Sequence, residues 1–119
     1  PGFVQQDELP KYFSESKIFL FPTLNDPWGI VANEAAAAGL PIITTENAGC
    51  ANELVIHKKN GYVLPLNSEI WVKSIKSLLN DEQKYIKMSK ENKIIVSEYN
   101  FLSAAKGINY AIRHSLKKR

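Results

Sequence analysis

The residues able to do chemistry gather in one segment, Asn25-Asp26-Pro27-Trp28-Gly29-Ile30-Val31-Ala32-Asn33-Glu34-Ala35. Gly29 opens a helical stretch whose first backbone N–H groups are free and carry the positive end of the helix dipole, a ready seat for a phosphate. Without a side chain, Gly29 lets that phosphate approach the backbone closely. Glu34 sits in a helix otherwise built from Ile30, Val31, Ala32 and the run Ala35 to Ala38. A carboxylate on such a small-residue helix needs partners if it is buried. Either it accepts hydrogen bonds from ligand hydroxyls, such as a ribose diol, or it lies on the exposed side or caps a neighbouring loop. The residues alone leave both readings open. Asp26 before Pro27 reads as an N-cap and first-turn pair, which stabilises by roughly 1 kcal/mol with no ligand. Trp28 reads first as a hydrophobic anchor for the loop and second as a stacking surface.

Other chemistries lack their residues. The six glycines never fall as Gly-x-Gly, and no Gly-x-x-x-x-Gly-Lys-Ser/Thr loop occurs, so the two common phosphate-binding fingerprints are missing. Asp occurs only at positions 7, 26 and 81, which leaves no Asp-x-Asp metal pair. His57 and His114 have no Cys or carboxylate at ligand spacing and read as surface or helix-end residues. No nucleophile-elbow context surrounds a serine. Cys50, the lone cysteine, permits no internal disulfide and fits a reducing compartment. A position near the start of a short helix can lower a thiol pKa, but the reading preferred for Cys50 is a small residue filling space behind the loop.

These residues need a scaffold. The 119 residues, 45% hydrophobic and 23% charged, suit one folded domain. The longest apolar stretch, Ala35 to Ile43, is broken by Gly39 and Pro41 and falls far short of the roughly 20 residues of a membrane span. Pro1-Gly2-Phe3 begins no signal peptide, and a cytoplasmic location is expected. Residues 1–79 carry six Lys/Arg against eight Asp/Glu, net −2, and residues 80–119 carry nine against four, net +5. Lys84, Lys87, Lys90 and Lys93 alternate with Tyr85, Ile86, Met88 and Ile94 at helical spacing. They read as the solvated face of an amphipathic helix rather than a nucleic-acid site. The terminal Lys117-Lys118-Arg119 is expected to fray.

Leu9, Tyr12 and Phe13, behind Asp7-Glu8 and next to Pro10, predict a short helix to about Ser16. Lys17 to Pro22 reads as a strand buried on both faces, and Pro41 to Thr45 as another. Between them runs the Gly29–Ala38 helix, stopped by Gly39 and Pro41. A short helix at about 50–57, a turn at Asn60-Gly61, a strand at Tyr62-Val63-Leu64 and helices at about 68–80, 81–98 and 101–116 complete the order. Strands separated by helical crossovers imply an α/β fold, a parallel sheet with helices on both faces. Three short strands make only about half of a doubly wound domain, and Phe3-Val4 reads as the tail of a further strand. The expected organisation is one partial domain over 1–119, with an α/β part at 1–66 and C-terminal helices at 67–119.

The run Pro22-Thr23-x-x-Asp26-Pro27-Trp28-Gly29-Ile30-Val31-x-x-Glu34-Ala35-x-Ala37-x-Gly39-Leu40-Pro41-Ile42-Ile43 closely resembles the signature of the family-4 (group 1) glycosyltransferases, P-S-x-x-E-P-W-G-[LI]-V-x-x-E-A-x-A-x-G-x-P-V-[IV]. Its flanks are similar too: Gly2-Phe3-Val4 with Glu8-Leu9-Pro10-x-Tyr12-Phe13 before it, Gly49 to Val55 and Asn60 to Pro65 after it. The resemblance covers most of residues 2–80, in order and spacing. It implies the GT-B fold, with this chain as the second half of the Rossmann-like C-terminal, donor-binding domain. By that resemblance Asp26 contacts hydroxyls of the transferred sugar, the Gly29, Ile30 and Val31 amides meet the sugar and diphosphate, and Glu34 binds the nucleotide ribose. Asp26 is one methylene shorter than the family's usual Glu, which bears on donor choice. Ala36 replaces a common methionine and is taken as repacking.

The resemblance further implies a retaining transfer from a nucleotide-diphosphate sugar to a glycan, polysaccharide or lipid-linked acceptor. No metal or other cofactor is expected, and the nucleotide sugar is the donor substrate. The family's basic residues that steady the diphosphate, and its acceptor domain, lie upstream of this segment. No complete catalytic set is therefore expected in the chain, which alone should be inactive. Partners expected are the nucleotide sugar, the acceptor through the N-terminal domain and a peripheral membrane contact of the full-length protein, but no nucleic acid. Two alternatives stand: a non-catalytic module binding a nucleotide or a protein, and a sugar-nucleotide epimerase-like GT-B fragment, against which Asp26-Pro27-Trp28-Gly29 argues.

Overall fold

A computed structural model describes residues 2–117. Strands β1 (Phe19–Phe21), β2 (Ile42–Thr44) and β3 (Gly61–Val63) form a parallel sheet in the order β1-β2-β3. Phe19, Leu20 and Phe21 lie opposite Ile42, Ile43 and Thr44, which lie opposite Gly61, Tyr62 and Val63. Side chains alternate across a pleated strand, so Ile42 and Ile43, both fully buried, seed two separate cores. On the Ile42 side pack α1 (Leu9–Glu15) through Phe13 and α2 (Ile30–Ala37) through Ala32, Ala35 and Ala36. On the Ile43 side packs α3 (Ser68–Leu79) through Trp71 and Leu78. The expected α/β fold, with helices on both faces, is the one found.

Helix α4 (Glu82–Ser97) joins the two cores, Met88 entering the second while Ile95 and Val96 touch the first. Asn67 and Asp81 cap α3 and α4 by accepting the N–H groups of Ile70 and Lys84, as short polar side chains at helix starts do. Helix α5 (Phe101–Lys117) begins on Asn100, whose Oδ1 accepts the Ser103 N–H at 2.9 Å. Leu102, Ile108, Tyr110 and Ile112 of α5 are exposed. Lys118 and Arg119, expected to fray, lie outside the described residues.

Three expectations are corrected. β1 is not buried on both faces: it has β2 as its one neighbour, and Leu20 is 44% exposed. Phe3-Val4 forms no strand, and Phe3 is exposed. No helix forms at 50–57; the N–H groups of Glu53, Leu54 and Val55 all converge on the Cys50 carbonyl, and Asn52 adopts φ 64°. A left-handed residue there stops helical propagation. The turn expected at Asn60-Gly61 is found at residues 58–60, and Asn60 within it is fully buried. Its Nδ2 donates to Leu54 O and to Asn92 Oδ1, and Asn92 Nδ2 donates to the carbonyls of Asn60 and Met88.

Candidate functional site

The loop after β1 carries the signature, and its backbone is bound into the sheet's C-terminal edge. Asp26 N–H donates to Asn47 O at 3.3 Å, and Gly49 N–H donates to Asp26 O at 2.8 Å. Gly49 has no room for a side chain: a Cβ there would overlap the Pro27 carbonyl and lie 2.9 Å from Trp28 Cα. The loop therefore rests flat on the 46–50 segment. Thr44 and Thr45 hydroxyls add hydrogen bonds to the Phe21 and Thr23 carbonyls.

Asp26 is not the N-cap of α2. Its Oδ1 accepts the Trp28 N–H at 3.0 Å, a local turn, and among the described residues Oδ2 takes no hydrogen bond. The N-cap is Gly29, at φ 85°, ψ 66°. A Cβ on Gly29 would meet Phe21 Cε1 at 2.6 Å and Cys50 Sγ at 3.6 Å. Positive φ and the ring beneath both select glycine. Ala32 N–H turns back to Gly29 O at 2.8 Å, so the amides of Gly29, Ile30 and Val31 have no described partner. The Ile30 side chain points outward, 74% exposed.

Glu34, one turn further along α2, is partly buried and faces a groove of about 500 Å³ between α1 and α2, lined also by Gln6, Pro10 and Ser14. It caps no loop, and neither Glu34 nor Asp26 forms an ion pair among the described residues. Thus Asp26, Gly29, Ile30 and Val31 come together at the start of α2, while Glu34 lies a turn further along the helix in a groove whose lining includes none of those four. Trp28 is an anchor: its ring packs on Tyr99, centroids 5.5 Å apart. Neither this contact nor the demand at Gly49 was visible from residue spacing. Among the described residues, no group of three or more His, Cys, Asp and Glu is placed to hold a metal ion, and no helix is long and apolar enough to cross a membrane. His57 Nδ1 accepts the Val63 N–H.

Cys50 is buried behind Gly29. Burial pushes its thiol above the ordinary value, against a backbone hydrogen bond that lowers it, and the Asp26 carboxylate adds to the rise. The folded thiol holds its proton to higher pH than the unfolded one. Its contribution to stability is therefore complete below the unfolded pKa and lost as pH rises through the folded pKa. Denaturation measured from pH 7 upward is expected to show stability falling above about pH 8.5, with Cys50→Ala flattening the first part of that slope. An unchanged slope in the variant would contradict this. Burial likewise raises Tyr85 and Tyr99, the latter helped by Glu53 and Glu98, so a further decline is expected at still higher pH.

Residues 1–95 match the model of a family described as glycosyl transferases group 1. A protein of Haemophilus influenzae named as an uncharacterized glycosyltransferase is 32% identical over 94 residues, 78% of this chain and 27% of that protein. Another of that name from Methanocaldococcus jannaschii is 32% identical over 108 residues, 88% of this chain and 27% of its own. The chain thus spans about a quarter of the length of these curated relatives. Sucrose-phosphate synthase from Thermosynechococcus elongatus superimposes with TM-score 0.81 at 23% identity, over 100% of this chain and 30% of that one. The C-terminal domain of a group 1 family protein from Francisella tularensis gives 0.75 at 23% identity, over 85% and 53%. An Anabaena protein solved in complex with UDP-glucose gives 0.72 at 24% identity, over 94% and 30%. At these identities the likeness is one of fold.

Proposed function

Because this chain belongs to the group 1 glycosyl transferases, we propose that it supplies half of the donor site of a retaining enzyme. That enzyme moves a hexose from a nucleotide-diphosphate sugar to a glycan, polysaccharide or lipid-linked acceptor. The observation that carries this reading is the set of three amides, Gly29, Ile30 and Val31, without a partner among the described residues at the start of α2, flanked along the chain by Asp26 and Glu34. In the transfer, the bond from the anomeric carbon to the diphosphate oxygen breaks and a bond to the acceptor oxygen forms. The acceptor hydroxyl loses its proton to an oxygen of the leaving diphosphate, on which negative charge grows as its bond to the sugar breaks. Preorganised amides at a helix start stabilise that charge without reorganising. The free Oδ2 of Asp26 accepts sugar hydroxyls, and Glu34, with the groove beside it, accepts the ribose diol. The UDP-glucose complex of the Anabaena protein supports a nucleotide sugar as the donor. The reading places the chain in the cytoplasm, needs no cofactor, and leaves the chain inactive without its upstream domain.

Calorimetric titration of the chain with UDP, GDP and ADP tests this. One nucleotide is expected to saturate, and Glu34→Ala to weaken it about 10- to 100-fold, the worth of charge-assisted hydrogen bonds of about 1.5–3 kcal/mol. A folded chain that binds none of the three, or a Glu34→Ala variant that binds as well as the original, would sink the reading.

A further inference from the structure

Tyr99 lies in the short link between α4 and α5, far from the signature in sequence. Its ring packs on Trp28 with centroids 5.5 Å apart and planes inclined by 49°. The link is not slack. Tyr99 N–H donates to Val96 O at 3.0 Å, and Asn100 Nδ2 donates to Ser97 O at 2.7 Å, while Asn100 Oδ1 holds the start of α5. On its other side the Trp28 backbone lies against Gly49. Trp28 is thus gripped from two directions, and its own N–H is bonded to Asp26 Oδ1. A displacement of the Trp28 backbone would carry with it the N–H bonded to the Asp26 carboxylate and would shift Gly29, the next residue.

We propose that Tyr99 is a positioning residue for the Asp26–Gly29 loop, acting through the ring of Trp28. Tyr99 is 44% exposed and Trp28 packs on the first core, so this contact covers the Trp28 ring where that core meets the surface. The phenyl face does the work, and the hydroxyl is dispensable. The functional meaning rests on the donor-site reading above, whereas the positioning itself does not.

The chain has two tryptophans, so its proton–nitrogen NMR spectrum holds two indole signals. Trp71, whose Nε1 donates to Pro65 O on the other face of the sheet, serves as the internal control. Tyr99→Ala is expected to move the Trp28 indole signal and the amides of Asp26 to Gly29 while leaving Trp71 in place. It should weaken binding of inorganic pyrophosphate, the probe of the amide cradle, about three- to tenfold, the range of an aromatic pair. Tyr99→Phe should restore both. The proposal is overturned if the loop amides stay in place in Tyr99→Ala, if Trp71 moves equally, or if Tyr99→Phe behaves like Tyr99→Ala. Failure of the unaltered chain to bind pyrophosphate would count against the donor-site reading alone, and the amide shifts would still decide for or against Tyr99.

Discussion

Gly49→Ala is expected to destabilise the chain by about 2–4 kcal/mol and to abolish nucleotide binding together. The added methyl group would overlap the Pro27 carbonyl oxygen, a backbone atom that no rotamer change can move. Overpacking into a closely packed region costs about 1–3 kcal/mol, and more where backbone must shift. The shift would also break the bond from Gly49 N–H to Asp26 O and the short bridge between Asp26 and Ala48. Because Pro27 is followed directly by Trp28 and Gly29, any retreat of the loop displaces the Gly29, Ile30 and Val31 amides, which the proposed donor site uses. Thermal unfolding should fall by about 10 °C for a domain of this size. Asn47→Ala, on an exposed side chain two residues away, is the control and should change neither property. If Gly49→Ala melts and binds like the unaltered chain, the close approach of loop and 46–50 segment is not as described.

Asn92→Ala is expected to cost about 2–4 kcal/mol with no direct effect on ligand contacts. It removes three buried hydrogen bonds, those from Asn60 Nδ2 and to the carbonyls of Asn60 and Met88. Each is worth about 1 kcal/mol, and a buried donor left without its partner costs about 1–3 kcal/mol more. The pair ties α4 to the chain just before β3, where α4 passes from one core to the other. Chemical denaturation of Asn92→Ala should show a lowered midpoint. At a temperature where the variant remains folded, its nucleotide affinity should equal that of the original chain. A fall of less than about 1 kcal/mol would mean that the amide pair does not latch α4.

The two effects differ in kind because the residues sit at different levels of the structure. Gly49 shapes the surface on which the signature loop lies. Asn92 holds a helix whose far end, through the α4–α5 link, brings Tyr99 to the same loop. Glu34 shows the boundary between the levels. Its two readings were open in the residues alone; the structure places it partly buried in the α1–α2 groove, and its part in binding a ligand is the proposal made above.

The sequence by itself determined the three strands, the helix between the first two, the three C-terminal helices to within two residues, and the loop and helix start that carry Asp26, Gly29, Ile30, Val31 and Glu34. Those signals are local: periodicity, capping residues and turn formers act within a window of about ten residues. The tertiary structure alone decided the exposure of Leu20, the left-handed Asn52 in place of a helix, the Asn60–Asn92 pair 32 residues apart, and the meeting of Trp28 with Gly49 and Tyr99. Each of these depends on which distant segment lies alongside. A lone Asn, Gly or Tyr carries no mark of the partner that folding brings to it, because burial, clash and pairing belong to the packed chain and not to any stretch of it.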